Sequence, residues 1–174
     1  MTELPTFRTE RVRTPEQLEA AWTVRREVFV EEQRVPLEEE MDAADTEPTT
    51  THVIVVRTTR DGGSGVPPEA VATGRLLTDP AHPGVVHIGR VAVVRRCRAG
   101  GVGAIVMRAL ESLAVEEATV DGTVRVELSA QEQAIGFYER LGYTVDGDRY
   151  LDAGIWHRDA HKTMSTASVA SWGV

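Results

Sequence analysis

The chain has 174 residues, 41% of them hydrophobic and 26% charged, and 19 basic against 27 acidic side chains give a net charge of −8. That is the composition of one ordinary globular domain; it excludes a disordered chain, a collagen and a coiled coil, and no apolar run approaches the roughly 18 residues that cross a bilayer. The acidic balance argues against nucleic acid or an anionic membrane as partner, the single cysteine, Cys97, excludes an intrachain disulfide framework, and the polar stretch Met1 to Arg13 gives no expectation of a signal peptide, so the expected compartment is the cytoplasm.

Residues 7–13 alternate weakly and read as an edge strand. Thr14-Pro15-Glu16-Gln17 has the form of a helix start, with Thr14 as cap, Pro15 in the first helical position and Gln17 three residues on. Leu18, Ala21, Trp22, Arg25, Val28 and Phe29 follow at helical spacing, with Arg25 the one polar member. Pro36 closes that helix and opens a short second one through Met41. His52–Arg57, Ala70–Leu77 and Val85–Val94 read as strands, the first two separated by a flexible turn over Asp61–Pro68. The apolar phase of the third strand slips between Ile88 and Val91, as a bulge at Gly89-Arg90 requires. Gly101–Glu117 is a helix with Val102, Ile105, Val106, Ala109, Leu110 and Leu113 on one stripe. Thr123–Leu128 alternates as a strand, Ser129 and Glu132 predict a capped helix to Leu141, and Gly142 stops it. Tyr143–Val145 is a further strand, Tyr150 to about Met164 is extended, and residues 165–174 read as a disordered tail after a domain over 1–164. A run of hairpin strands followed by β-α-β predicts an α/β domain with a mixed, mostly antiparallel sheet and helices on both faces.

Charge is unevenly spread. From Pro80 to Leu110 there is no Asp or Glu, but there are five arginines; from Glu31 to Glu47 there are eight acids and one base, Arg34. The basic segment contains Arg98-Ala99-Gly100-Gly101-Val102-Gly103-Ala104, a turn between a strand and a helix. Glycines there let backbone N–H groups at the helix start approach an anion, and Arg98 adds positive charge; the pattern suits a diphosphate, against the alternative of a tight turn with solvated arginines. The P-loop pattern fails for want of Gly-Lys-Ser/Thr, and the dinucleotide fingerprint fails because Val106 stands at the third glycine position.

Arg98-x-x-Gly101-x-Gly103-Ala104 after a buried strand resembles the acyl-CoA signature of the GNAT superfamily of N-acyltransferases. Gln131-x-x-Ala134-x-x-Phe137-Tyr138-Glu139-x-x-Gly142-Tyr143 matches the second half of that pattern, and the element order is also the family's over roughly Phe7 to Met164. Arg26–Gln33, Glu40-Met41-Asp42, Asp45 and Ala153–His157 are similar to the ElaA/YjcF-like branch, although Trp156 stands where that branch usually has Pro. The resemblance implies a GNAT fold, acetyl-CoA as co-substrate and a small-molecule amine as acceptor. It implies that the backbone of Val91, Ala92 and Val93 pairs with the pantetheine arm and that Arg98 through Ala104 hold the diphosphate. It also implies that Tyr138 protonates the departing thiolate, while Gln131 takes a place where many members carry Asn. Without the resemblance, Tyr138 reads rather as a half-buried aromatic packed beside Phe137.

An amine must also be attracted and deprotonated before it attacks. Glu31, Glu32, Glu38, Glu39, Glu40, Asp42, Asp45 and Glu47 fall where the resembled fold walls its acceptor site, most of them as a solvated face. Glu32 and Glu127 are the candidate bases, because a carboxylate beside an apolar face accepts a proton nearer neutrality; solvation is the alternative for each. His157 and His161 lie four apart, but in an extended segment without a third ligand, so no metal is expected. Cys97 lacks a base partner and is incidental, and Ser129 is not in a Gly-x-Ser-x-Gly elbow. The expected function is direct transfer of an acetyl group from acetyl-CoA to a cationic amine. The rival is a non-catalytic acyl-CoA-binding or sensing module, which keeps the loop but does not need Tyr138. The sequence leaves a homodimer open.

Overall fold

Seven strands and five α-helices account for most of the chain in a computed structural model, whose described residues are 5–58 and 68–172. In chain order they are β1 (Thr6–Arg11), α1 (Pro15–Arg25), a π-helix (Arg26–Glu32), α2 (Leu37–Glu40), β2 (Thr50–Thr58), β3 (Glu69–Thr78), β4 (Val85–Val93), α3 (Val102–Ala118), β5 (Thr123–Gln131), α4 (Ile135–Arg140), β6 (Thr144–Asp152), β7 (Ile155–Ser165) and α5 (Thr166–Ala170). Short 3₁₀ turns cover Ala43–Thr46, Arg95–Gly100 and Glu132–Ala134. The strands form one sheet in the order β1-β2-β3-β4-β5-β7-β6. β1–β2, β5–β7 and β6–β7 pair antiparallel and β4–β5 is parallel, so the sheet is mixed as expected. No helix among the described residues is long and apolar enough to cross a membrane. The expected flexible turn over Asp61–Pro68 lies outside the described residues except for Pro68.

The chain packs as two units, Met1–Glu40 with Thr51–Arg75 and Arg90–Ala109, and Met41–Thr50 with Leu76–Gly89 and Leu110–Val174. In the first, Thr14 caps α1 in the box the sequence predicts: its hydroxyl accepts from Gln17 N at 3.3 Å, and Gln17 Oε1 accepts from Thr14 N at 3.2 Å. Val53 through Val56 are buried without a break, as are Val71 through Leu76. Such continuous burial is what a strand covered on both faces shows.

Arg25, the polar member of the α1 stripe, is completely buried, and Glu40 at the end of α2 is its partner. Arg25 Nε donates to Glu40 Oε1 at 2.6 Å and its Nη2 to the Glu40 carbonyl at 2.5 Å. Arg90, with a left-handed φ of 53° at the predicted bulge, reaches the same carboxylate at 3.3 Å and donates to the Glu39 carbonyl at 3.2 Å. Glu40 and Asp45 therefore depart from the expected solvated acidic face; both are buried.

In the second unit β5 continues the alternation of Val124, Val126, Leu128 and Ala130, all buried, to Gln131. Ser129 lies inside that strand, on the outward row, and not at a helix cap; α4 begins only at Ile135. The buried face of α3 carries Val102, Val106, Met107, Leu110 and Ala114. Ile105, Ala109 and Leu113, expected on it, are half-buried. Glu111 is buried on this face because Tyr143 Oη donates to it at 2.8 Å and Lys162 Nζ at 3.2 Å. Ala153 and Gly154, with φ of 47° and 75°, make the tight turn between β6 and β7, the positive-φ pair that matches the twist of a hairpin. Where a disordered tail is expected, β7 runs to Ser165, whose N–H donates to Ser168 Oγ at 3.0 Å, and α5 follows.

A buried charge that loses its partner costs more than the pair contributes. Arg25→Leu should destabilise the chain by about 3 kcal/mol in chemical denaturation, and Arg25→Leu/Glu40→Leu should recover most of that loss. A single-variant loss under about 1 kcal/mol would contradict the assignment of Arg25 as the partner on which Glu40 depends.

Candidate functional site

The parallel ladder of β4 and β5 registers Val85↔Arg125, Val86↔Val126 and His87↔Glu127. Within the second unit Ile88 and Gly89 have no partner on β5, while β5 runs on to Gln131 paired to β7 alone, ending at Gln131↔His157. Backbone N–H and C=O groups are obligatory hydrogen-bonding groups. The far end of β5 thus presents one edge that a polar, extended ligand can satisfy.

Beyond the bulge, β4 continues through Val91, Ala92 and Val93 into the arginine turn. Ala92 is buried; Val91 and Val93 are half-buried. Cys97 is buried in the turn, with its N–H bonded to the Val94 carbonyl at 2.9 Å. Gly101 has φ of 73°, and a Cβ placed on it would meet nothing within 4 Å, so backbone shape and not crowding favours glycine there. Ala104 and Ile105 N–H turn back onto the Gly101 carbonyl at 3.1 and 3.2 Å. The Val102 and Gly103 N–H groups have no backbone acceptor among the described residues. With no acid in the first turn of the 17-residue α3, its N-terminus is suited to an anion. The residues present thus fit a diphosphate.

Arg96 and Arg98 of this turn have protein partners. Arg98 Nη1 and Nη2 donate to the two oxygens of Glu32 at 2.6 and 2.7 Å, and its Nε donates to the Val93 carbonyl at 2.9 Å. Arg96 donates to Glu27 at 2.8 Å and also to Glu69. The hydrogen bond from Arg98 holds the Glu32 carboxyl below the usual carboxylate range. This corrects the expectation of a base poised near neutrality: at Glu32 the opposite charge outweighs any burial.

In the second unit Tyr138 is 8% exposed on α4. Its ring meets Phe137 and Tyr143 edge-on, at centroid distances of 5.1 and 5.8 Å. The Tyr138 carbonyl accepts from Leu141 N and Tyr143 N at 3.0 and 3.1 Å, which fixes its turn of helix. Burial pushes the phenol up to about 12. Gln131 closes β5, and its Oε1 accepts from Gln133 Nε2 at 2.5 Å. Glu127 lies on the outward row of β5, half-buried, with Arg125 Nε donating to it at 2.7 Å and the His87 ring nearby, its Nδ1 at 3.8 Å.

Sequence reasoning missed a polar cluster on that same row. Tyr150 Oη donates to Asp159 Oδ1 at 2.7 Å, and Ser129 Oγ reaches both Tyr150 Oη and, at 3.3 Å, Asp159 Oδ1. His157 is buried and stacks on Tyr150 at 6.0 Å. The signal was available, because apolar alternation continues through Leu128 and Ala130 and so places Ser129 outward on a strand. His157 and His161 also lie on a strand, β7, where four residues span about 13 Å, too far for both to bind one ion; His161 pairs instead with Asp146 at 2.5 Å.

Comparison with known proteins identifies the family and agrees with the fold. The sequence profile of the acetyltransferase (GNAT) family matches residues 17–143. The chain is 39% identical over 143 residues to the uncharacterized N-acetyltransferase YjcF of Bacillus subtilis, covering 82% of this chain and 89% of that one. It is similar to the crystal structure of an acyl-CoA N-acyltransferase from Pseudomonas aeruginosa, with 30% identity, TM-score 0.71, and coverage of 91% and 99%. Escherichia coli ElaA gives 26% identity, TM-score 0.71, and coverage of 89% and 99%.

A phenol at about 12 stays neutral where an ordinary tyrosine, near 10, is half-ionised. The ultraviolet difference between the wild-type chain and Tyr138→Phe should therefore show no phenolate up to about pH 10. Half-ionisation by that pH would contradict the burial of this hydroxyl.

Proposed function

The chain belongs to the acetyltransferase (GNAT) family, and from that premise we propose that it moves an acetyl group from acetyl-CoA directly to a small cationic amine. An acyl-CoA N-acyltransferase is what the family and the fold establish; the acetyl group, the acceptor class, the direct transfer and the residue roles are this reading's own. The observation that carries it is Tyr138, a protonated phenol on α4 whose hydroxyl has no hydrogen-bond partner among the described residues.

The backbone of Val91, Ala92 and Val93 binds the pantetheine arm as an added strand would, and one of its N–H groups holds the thioester oxygen as charge develops there. Val102 and Gly103 N–H, the turn Arg98-Ala99-Gly100-Gly101, and Ala104 at the first turn of α3 take the diphosphate. Gln131 offers its amide to the arm. The amine nitrogen attacks the carbonyl carbon, the C–S bond breaks, and the electron pair leaves on sulfur.

Magnitudes decide how Tyr138 acts. A thiolate has a conjugate acid near ~8.5, so complete transfer from a phenol at about 12 is uphill by ~3–4 units, ~5 kcal/mol. Tyr138 therefore acts as a hydrogen-bond donor to the departing sulfur and passes its proton only as the amine's proton returns to the phenolate oxygen. The cationic amine loses its first proton before it attacks, to Glu127 or water. Glu127 is the acceptor-side carboxylate in this reading, since Glu32 is held ionised by Arg98.

Tyr138→Phe removes one hydroxyl and keeps the ring. General acid catalysis is worth ~10²–10⁴-fold, so turnover should fall by about that factor with KM for acetyl-CoA nearly unchanged. Unaltered turnover, with chemistry rate-limiting, would contradict the role given to Tyr138.

A further inference from the structure

The arginine that the family reading assigns to the diphosphate already holds an anion of the protein's own. Glu32 meets Arg98 with both oxygens, at 2.6 and 2.7 Å, in the parallel two-bond geometry that makes arginine–carboxylate pairs specific. A third N–H of Arg98 is committed to the Val93 carbonyl.

The local helix geometry explains why Glu32 is there. Arg26–Glu32 is a π-helix, closed by Gln33 N donating to the Val28 carbonyl five residues back at 3.1 Å. Bonds of that spacing bring residues five apart toward the same side of the helix. In an α-helix of 3.6 residues per turn, the same two residues would be about 140° apart. Glu27 and Glu32 are five apart, and they bind Arg96 and Arg98 respectively. The wide turn thus presents two carboxylates together to two arginines of one loop. π-Turns concentrate at functional sites because they are otherwise costly.

We propose that Glu32 is an internal competitor for Arg98, so that acyl-CoA binds by drawing Arg98 from Glu32 and CoA leaves as Glu32 takes it back. This rests on the reading of the Arg98–Ala104 turn as the diphosphate site. It replaces the role of proton acceptor for Glu32 with that of a positioning residue acting through Arg98.

The physical logic is an exchange of partners. Arg98 always faces an anion, either the carboxylate or the diphosphate, so neither state leaves its charge bare. Breaking the Glu32 bonds to Arg98 offsets part of what the diphosphate gains there, which lowers affinity for acyl-CoA and CoA alike. An enzyme gains from this when release of product limits turnover. Glu32 and Arg98 are each about two-fifths exposed, at 35% and 42% of their side chains, so the pair can open without local unfolding.

The test measures binding of CoA and of pantetheine, which lacks the diphosphate, to the wild-type chain, Glu32→Gln, Arg98→Gln and the double variant. Glu32→Gln should bind CoA about three- to tenfold more tightly and leave pantetheine unchanged, the range expected for one exposed to half-exposed charge pair. In the Arg98→Gln background the same change should have no effect. A merely structural brace predicts the opposite sign, because its loss weakens binding. Unchanged or weaker CoA binding by Glu32→Gln overturns the competition, as does a gain that persists without Arg98. Equal affinity of the wild-type chain for CoA and pantetheine overturns the diphosphate assignment itself, and this inference with it.

Discussion

The end of one hydrogen-bonded ladder is the constraint on which the site depends. β4 and β5 pair through His87↔Glu127, after which Ile88 and Gly89 leave the ladder and β5 continues with partners on β7 alone. Buried backbone groups cannot be left without partners at small cost. A strand end held open in this way calls for a ligand with amide-like groups of its own. The left-handed backbone of Arg90 marks the departure point. A non-glycine residue in that conformation costs about 1–2 kcal/mol, and the bonds from Arg90 to Glu39 and Glu40 offset it. The buried Arg25–Glu40 pair is thus connected, through one carboxylate, to the bulge that precedes Val91.

Charge is distributed by the same logic of local pairing. The arginine-rich segment and the acidic segment look, as sequence, like two separate surfaces of opposite sign. In the structure acids and arginines of the first unit neutralise one another in pairs: Glu27 with Arg96, Glu32 with Arg98, Glu40 with Arg25 and Arg90. What remains for an anion at the turn is the N–H groups of Val102 and Gly103, the positive end of α3, and the exposed Arg95, whose charge acts on Glu32. Recognition by backbone depends on shape more than on net charge, so a net charge of −8 does not oppose it.

Much of this was legible in the residues. The Thr14 cap, the bulge at Gly89-Arg90, the seven strands and the turn that leads into α3 each have a local signal, in capping chemistry, alternation or glycine spacing. Pairing over distance had none. Nothing near Arg25 or Glu40 identifies fifteen-residue partners, although a charged residue in an apolar stripe requires some partner. The ionisation of Glu32 is set by Arg98, 66 residues away. At Ser129 two signals conflict: a Ser followed by Glu three residues later fits a capping box, and the alternation through Ala130 outweighs it. The α3 stripe was displaced by one position, because Glu111 is buried through Tyr143 and Lys162 and pulls the buried face toward Met107. α5 is too short to show a period, and its Ser165–Ser168 cap is its only local mark.

The account stands or falls on whether a thiol is released as an amine is acylated. The direct measurement is thiol release from acetyl-CoA by the purified chain across a panel of amines, aminosugars, amino acids and peptides, with mass spectrometry of the acceptor. The account predicts one acetyl group on nitrogen for each CoA thiol formed, with cationic amines the best acceptors. Acyl-CoA binding with no transfer to any acceptor of the panel, or a preference for anionic acceptors, would contradict it.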